Sequence, residues 1–141
     1  MMLKRTMTFG LAVVLVGTIL GGCSGTEDDT GSGKTGIEFG RGEIPETVPE
    51  DFPLPTEAVI NATLIDWDRD RTEVSMLFPA EIPVVARFFD ENLPNRGYLV
   101  ESSTGSAVTW TVEFTRDELT GSLQLKPQTE TTTAVTLEIR R

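Results

Sequence analysis

The chain has 141 residues, with 12 basic against 22 acidic side chains, a formal net charge of −10, one cysteine and no histidine. An acid-rich surface is repelled by phosphate backbones and anionic headgroups, which argues against nucleic acid as a partner. The missing histidine removes the commonest general base and the commonest zinc ligand, and a lone cysteine closes no disulfide within the chain.

In chain order, Lys4 and Arg5 come first and are followed by an almost unbroken apolar stretch, Phe9 to Leu20, of 12 residues. A membrane-spanning helix needs roughly 20 apolar residues, so this stretch is too short to span. Positive start, short apolar run and small residues at its end make residues 1–22 a secretory signal peptide. Leu20, Gly21, Gly22 and Cys23 resemble the bacterial lipobox. The resemblance implies that the Cys23 thiol is alkylated by diacylglycerol, the leader is cut before it, and the new amine is acylated. No other cofactor is expected. The competing readings are a buried thiol, a disulfide between chains and an uncleaved leader. Removing residues 1–22 leaves 119 residues with 10 basic and 22 acidic groups, a balance of −12. Attachment to the membrane then falls to the acyl chains, and two or three chains on one cysteine hold where one is marginal. The expected location is extracytoplasmic, lipid-anchored at the cell membrane. In a host with two membranes, Ser24 in place of the usual retention aspartate directs the protein to the outer one.

Residues 23–51 are expected to be a tether that carries the lipidated cysteine. Ser24 to Gly42 is rich in Ser, Gly, Thr and acidic residues, with Ile37 and Phe39 its only large apolar side chains. Such a stretch buries too little apolar surface to offset its ordering entropy. Pro45, Pro49, Pro53 and Pro55 then favour a stiffer, extended collar. A flexible coil of this length spans on the order of 30 Å. Gly33-Lys34-Thr35 spells the end of a phosphate-binding loop, but the first glycine of that motif falls at Asp28, and a linker is the better reading.

Residues 52–141 carry the periodicity of a folded domain. Ala58 to Ile65 and Glu73 to Phe78 read as strands joined by Asp66 to Arg71, and Asn61-Ala62-Thr63 is strand sequence that only spells a glycosylation sequon. Pro79 to Pro83 opens a helix with an apolar stripe of Ile82, Val85, Ala86, Phe89 and Leu93, which Pro94 and Gly97 end. Four alternating runs follow, around Tyr98–Ser102, Val108–Phe114, Leu119–Leu125 and Val135–Ile139. The expected fold is α+β and two-layered, a single helix packed on a curved, mainly antiparallel sheet in the order β-β-α-β-β-β-β. The proline-rich entry Asp51-Phe52-Pro53-Leu54-Pro55 and the helix end Leu93-Pro94-Asn95-Arg96-Gly97-Tyr98 resemble small envelope lipoproteins of actinobacterial type. That resemblance implies a fold and brings no activity.

Chemistry-bearing clusters are sparse. Asp66, Asp68 and Asp70 alternate as at the start of a calcium loop, but the sixth position is Arg71 where glycine is needed and the twelfth is Leu77 where an acid is needed. A solvated turn is the better reading, and no metal site is expected. Asp90-Glu91 and Asp117-Glu118 are adjacent pairs that point apart, and Ser102, Ser103 and Ser106 have no histidine to activate them. Trp110 belongs with Val112 and Phe114 on a core face. Trp67 beside Asp66, Asp68 and Asp70 forms the candidate ligand site, since an aromatic face with carboxylates suits a sugar or a cationic ligand. The expected function is a non-catalytic, lipid-anchored binding or scaffolding module of the cell envelope, held at the membrane by its anchor. The alternatives are a small-ligand or lipid carrier with a groove between helix and sheet, and an accessory subunit of an envelope protein complex.

Overall fold

The computed structural model describes residues 33–141. The signal peptide, the lipobox residues Leu20, Gly21 and Gly22, and Cys23 lie outside the described residues. Seven strands and one helix follow in order: β1 (Ile37–Gly40), β2 (Val59–Asp66), β3 (Arg71–Phe78), α1 (Ile82–Asn95), β4 (Leu99–Ser106), β5 (Thr109–Arg116), β6 (Leu119–Thr129) and β7 (Thr132–Arg140). The strands form one sheet in the spatial order β1-β2-β3-β7-β6-β5-β4, and every neighbouring pair is antiparallel.

Period-two alternation sorts the strand residues between the two faces. Val74, Met76 and Phe78 of β3, Val135, Leu137 and Ile139 of β7, Leu123 and Leu125 of β6, and Val112 and Phe114 of β5 are buried on the inner face. Their neighbours Glu73, Ser75, Thr136, Glu138, Gln124 and Glu113 occupy the outer face.

The helix lies against β4, β5, β6 and β7 and buries the expected stripe of Ile82, Val85, Ala86, Phe89 and Leu93. Pro83 sits in its first turn, where no intrahelical donor is lost. At the other end Tyr98 N–H donates to the Leu93 carbonyl at 3.1 Å and Gly97 N–H to the Pro94 carbonyl at 3.0 Å. These two bonds make a Schellman cap around Gly97, whose φ of +79° is a left-handed conformation that glycine adopts without a Cβ clash.

The helix leaves part of the inner face open, and the proline-rich segment covers it. Val48 N–H donates to the Pro45 carbonyl, Phe52 N–H to Pro49 and Ala58 N–H to Pro55, so the segment winds through turns and does not run extended. The turns deliver Val48 and Phe52 to the core, where the Phe52 ring lies 6.3 Å from Phe89, 5.7 Å from Tyr98 and 5.7 Å from Phe114.

The expected α+β class with order β-β-α-β-β-β-β is overturned. The structure is predominantly a seven-stranded antiparallel sheet with one short helix, and that helix follows the third strand. The additional strand is β1, within the residues read as tether, and the folded unit reaches back to Gly33. β1 has no buried side chain of its own. It is held by pairing with β2, Ile37 opposite Asp66 through Gly40 opposite Thr63, which leaves no apolar period to detect. Among the described residues no helix is long and apolar enough to cross a membrane.

Candidate functional site

The turn between β2 and β3 was expected to gather Asp66, Trp67, Asp68 and Asp70 around a ligand, and each of these residues already has a partner in the chain. Asp66 closes β2 and is buried; its Oδ2 accepts a hydrogen bond from Arg69 Nη1 at 2.8 Å. The Arg69 guanidinium holds the Asp66 carboxyl below the usual carboxylate range, against the opposing effect of desolvation. Asp68 Oδ1 accepts from the Gly36 N–H at 3.2 Å. Asp70 takes the left-handed conformation, φ +47°, that turns the chain into β3, and its carbonyl accepts from Arg141 N–H at 3.2 Å. The Asp66 and Asp68 carboxylates therefore face different neighbours, and Asp70 is engaged through its backbone carbonyl. Among the described residues no three acidic or sulfur side chains converge on one point.

Trp67 is clasped by the segment around β1. Its indole N–H donates to Glu38 Oε2 at 3.2 Å, its backbone N–H donates to the Gly36 carbonyl, and Lys34 Nζ lies 4.7 Å above the ring. Lys34 in turn pairs with Glu46, and that hydrogen bond raises the lysine pKa. The face offered to a cationic ligand is thus taken by the chain's own ammonium. Trp110 is half-buried against the core, and its indole N–H donates to Ser103 Oγ at 2.9 Å.

An apolar concavity lies elsewhere. Pro55 and Glu57 on one side, Phe78, Pro79 and Ala80 below, and Val84, Val85 and Phe88 of the helix enclose a groove of about 330 Å3. Thr133 Oγ1 donates to the Ala80 carbonyl at 2.7 Å and fixes the groove floor to β7. Val84 is 57% exposed at the rim. Phe88, expected from the sequence to pack against the sheet beside Phe89, lines this groove with Val84, four residues before it and off the buried stripe. That i, i+4 apolar pair off the main stripe was the available signal.

Two other depressions are lined by charged side chains. One of about 350 Å3 on the outer face is lined by Glu101, Glu113, Glu138 and Arg140 among others, and a second of about 280 Å3 by Asp66, Arg69, Arg71 and Arg140. Behind the inner face, Arg116 stacks 4.1 Å over the Tyr98 ring while pairing with Asp51 Oδ2 at 2.7 Å. Burial pushes the Tyr98 hydroxyl up, and it has no hydrogen-bond partner. Comparison with family models, curated proteins and solved structures finds no match for this chain.

Proposed function

We propose that this protein is a lipid-anchored, extracytoplasmic binding module of the cell envelope, non-catalytic, that captures an apolar group in the groove beside its helix. The anchor reading rests on the lipobox-like run ending at Cys23. The observation that carries the binding reading is the groove itself: Pro55, Phe78, Pro79, Val84, Val85 and Phe88 with Glu57 as its one charged member. Ligand sites run from about 300 to 1,000 Å3 and are mostly apolar with a few polar groups, so about 330 Å3 suits an acyl segment or a small apolar ligand. The absence of histidine from the sequence supports a non-catalytic role.

Native mass spectrometry of the protein purified from its own host tests this. A bound lipid or small apolar molecule is expected on the parent and lost from Val84→Asp, and a clean apo mass for the parent overturns the carrier role. Globomycin and Cys23→Ala test the anchor separately: both should leave the leader uncleaved so that full-length precursor accumulates, and unaltered processing in both overturns the anchor reading.

A second reading, the accessory subunit, is favoured by the open sheet edges. β1 and β4 end the sheet, and Phe39 on β1 is 76% exposed, a combination suited to a partner strand. Crosslinking in cells followed by pulldown separates this reading from the carrier: a reproducible partner that depends on Phe39 supports it.

A further inference from the structure

The apolar groove between α1 and the turn before β2 is one-sided in the polar groups it offers. None of its lining side chains carries an N–H or O–H, and its one charged member is the Glu57 carboxylate. Pro55 and Pro79 have no backbone N–H to give. Val84 N–H and Val85 N–H already donate to the Glu81 carbonyl, at 3.0 and 3.1 Å. The first turn of a helix ordinarily attracts an anion through its free donors. Here Pro83 contributes no donor, and Glu81 sets a carboxylate at the N-cap.

The acids around the groove are uncommitted. A bond from Ala58 N–H to the Pro55 carbonyl, 3.1 Å, closes the turn that sets Glu57 on the groove wall. Glu57 and Glu81 are both exposed, and neither belongs to any ion pair among the described residues. The nearest base along the helix, Arg87, does not line the groove and has Glu91 beside it four residues on. The charge at the rim is therefore negative, in a chain whose net charge is already −10.

We infer, building on the groove as a binding site, that its ligand is an amine with an apolar tail, the tail lying against Phe78, Val84 and Phe88 and the ammonium donating to Glu57. Three classes of head group compete for such a groove. A carboxylate meets no side-chain donor and approaches against the field of the chain. A hydroxyl can donate to Glu57 but gains nothing from that field. An ammonium brings three N–H donors where a hydroxyl brings one, and its charge is opposite to the rim's.

Isothermal titration of the chain from Ser24 onward tests the assignment. That form holds the whole folded unit, Gly33–Arg141, and has no acyl chain of its own to compete for the groove. Octylamine, octanol and octanoate share one tail and differ only in the head. Octylamine should bind tightest, with octanol about threefold weaker and octanoate about tenfold weaker or more. Glu57→Gln should bring octylamine down to the level of octanol, and added salt should weaken octylamine and not octanol. Val84→Asn, checked for an unchanged circular dichroism spectrum, should weaken octylamine and octanol together. If octanol or octanoate binds as well as octylamine, or if Glu57→Gln binds octylamine like the parent, the amine assignment falls while the groove stands as a binding site. If none of the three binds, both fall.

Discussion

Replacing Gly121 by alanine should destabilise the protein, against the usual expectation for glycine in a strand. Gly121 of β6 stands opposite Phe114 of β5, and a Cβ built on it would come 2.3 Å from Phe114 Cζ and 2.5 Å from Cε2. Carbon atoms pack at about 3.5–4.0 Å, so the ring has to move by more than an ångström. It has nowhere to go: Phe114 is 1% exposed, with the Tyr98 ring 5.4 Å away and the Phe52 ring 5.7 Å away. Overpacking of this kind costs about 1–3 kcal/mol, and a boxed-in aromatic belongs in the upper part of that range. Alanine returns about 0.5–1 kcal/mol by restricting the unfolded chain. The balance is a loss of about 2 kcal/mol. With a urea m-value of about 2 kcal/mol/M, the unfolding midpoint falls by about 1 M, read from Trp67 and Trp110 fluorescence. Adding Phe114→Leu to Gly121→Ala should cost less than the two single losses together, because the smaller side chain frees the space. A Gly121→Ala protein as stable as the parent would refute the placement of the ring across the glycine.

Phe52→Ala should cost about 3–5 kcal/mol in the same assay, since Phe52 packs against Phe89, Tyr98 and Phe114; a change near zero would return the collar to a loose tether. Gly97→Ala should cost about 1–2 kcal/mol, because φ +79° puts any Cβ in the left-handed region, and calorimetry showing an unchanged melting temperature would contradict the cap. Acid should weaken the fold through Asp66 and Asp51. Arg69 and Arg116 respectively hold these carboxyls below their ordinary value, so their stabilising effect is complete above about pH 4 and is lost as pH falls through the lowered values. Asp66→Asn and Asp51→Asn should each flatten the decline in urea midpoint between about pH 5 and pH 2, and slopes equal to the parent's would count against both pairs.

The parts of the fold legible in the sequence are those where one element carries its own apolar period. Val74, Met76 and Phe78 alternate, as do Val112 and Phe114, and the helix stripe runs from Ile82 to Leu93, although the helix continues through Pro94 to Asn95 before the cap at Gly97. What escaped depends on distant partners. β1 offers Ile37 and Phe39, both exposed, and exists because β2 supplies its hydrogen bonds. Val48, within the stretch read as tether, is an isolated apolar residue among prolines, and only the uncovered part of the sheet gives it a reason to turn inward. The candidate site failed in the same way. Asp66, Trp67, Asp68 and Asp70 are neighbours in sequence, and it took the fold to bring Lys34, Gly36 and Glu38 against them. Arg71 and Arg140 meet only through the register of β3 on β7.

β1 is a four-residue edge strand at the N-terminal side of the folded unit, latched by Lys34 and Glu38 on Trp67. If the chain is held through Cys23, any pull reaches β1 first and strips its bonds from β2 one after another instead of loading them together. Residues 33–47 would then pay out, spanning at most on the order of 50 Å when fully extended, at about 3.4 Å per residue, before Val48 and the core feel tension. Such a protein would carry its own slack, a leash that lengthens under drag while the body it holds stays folded.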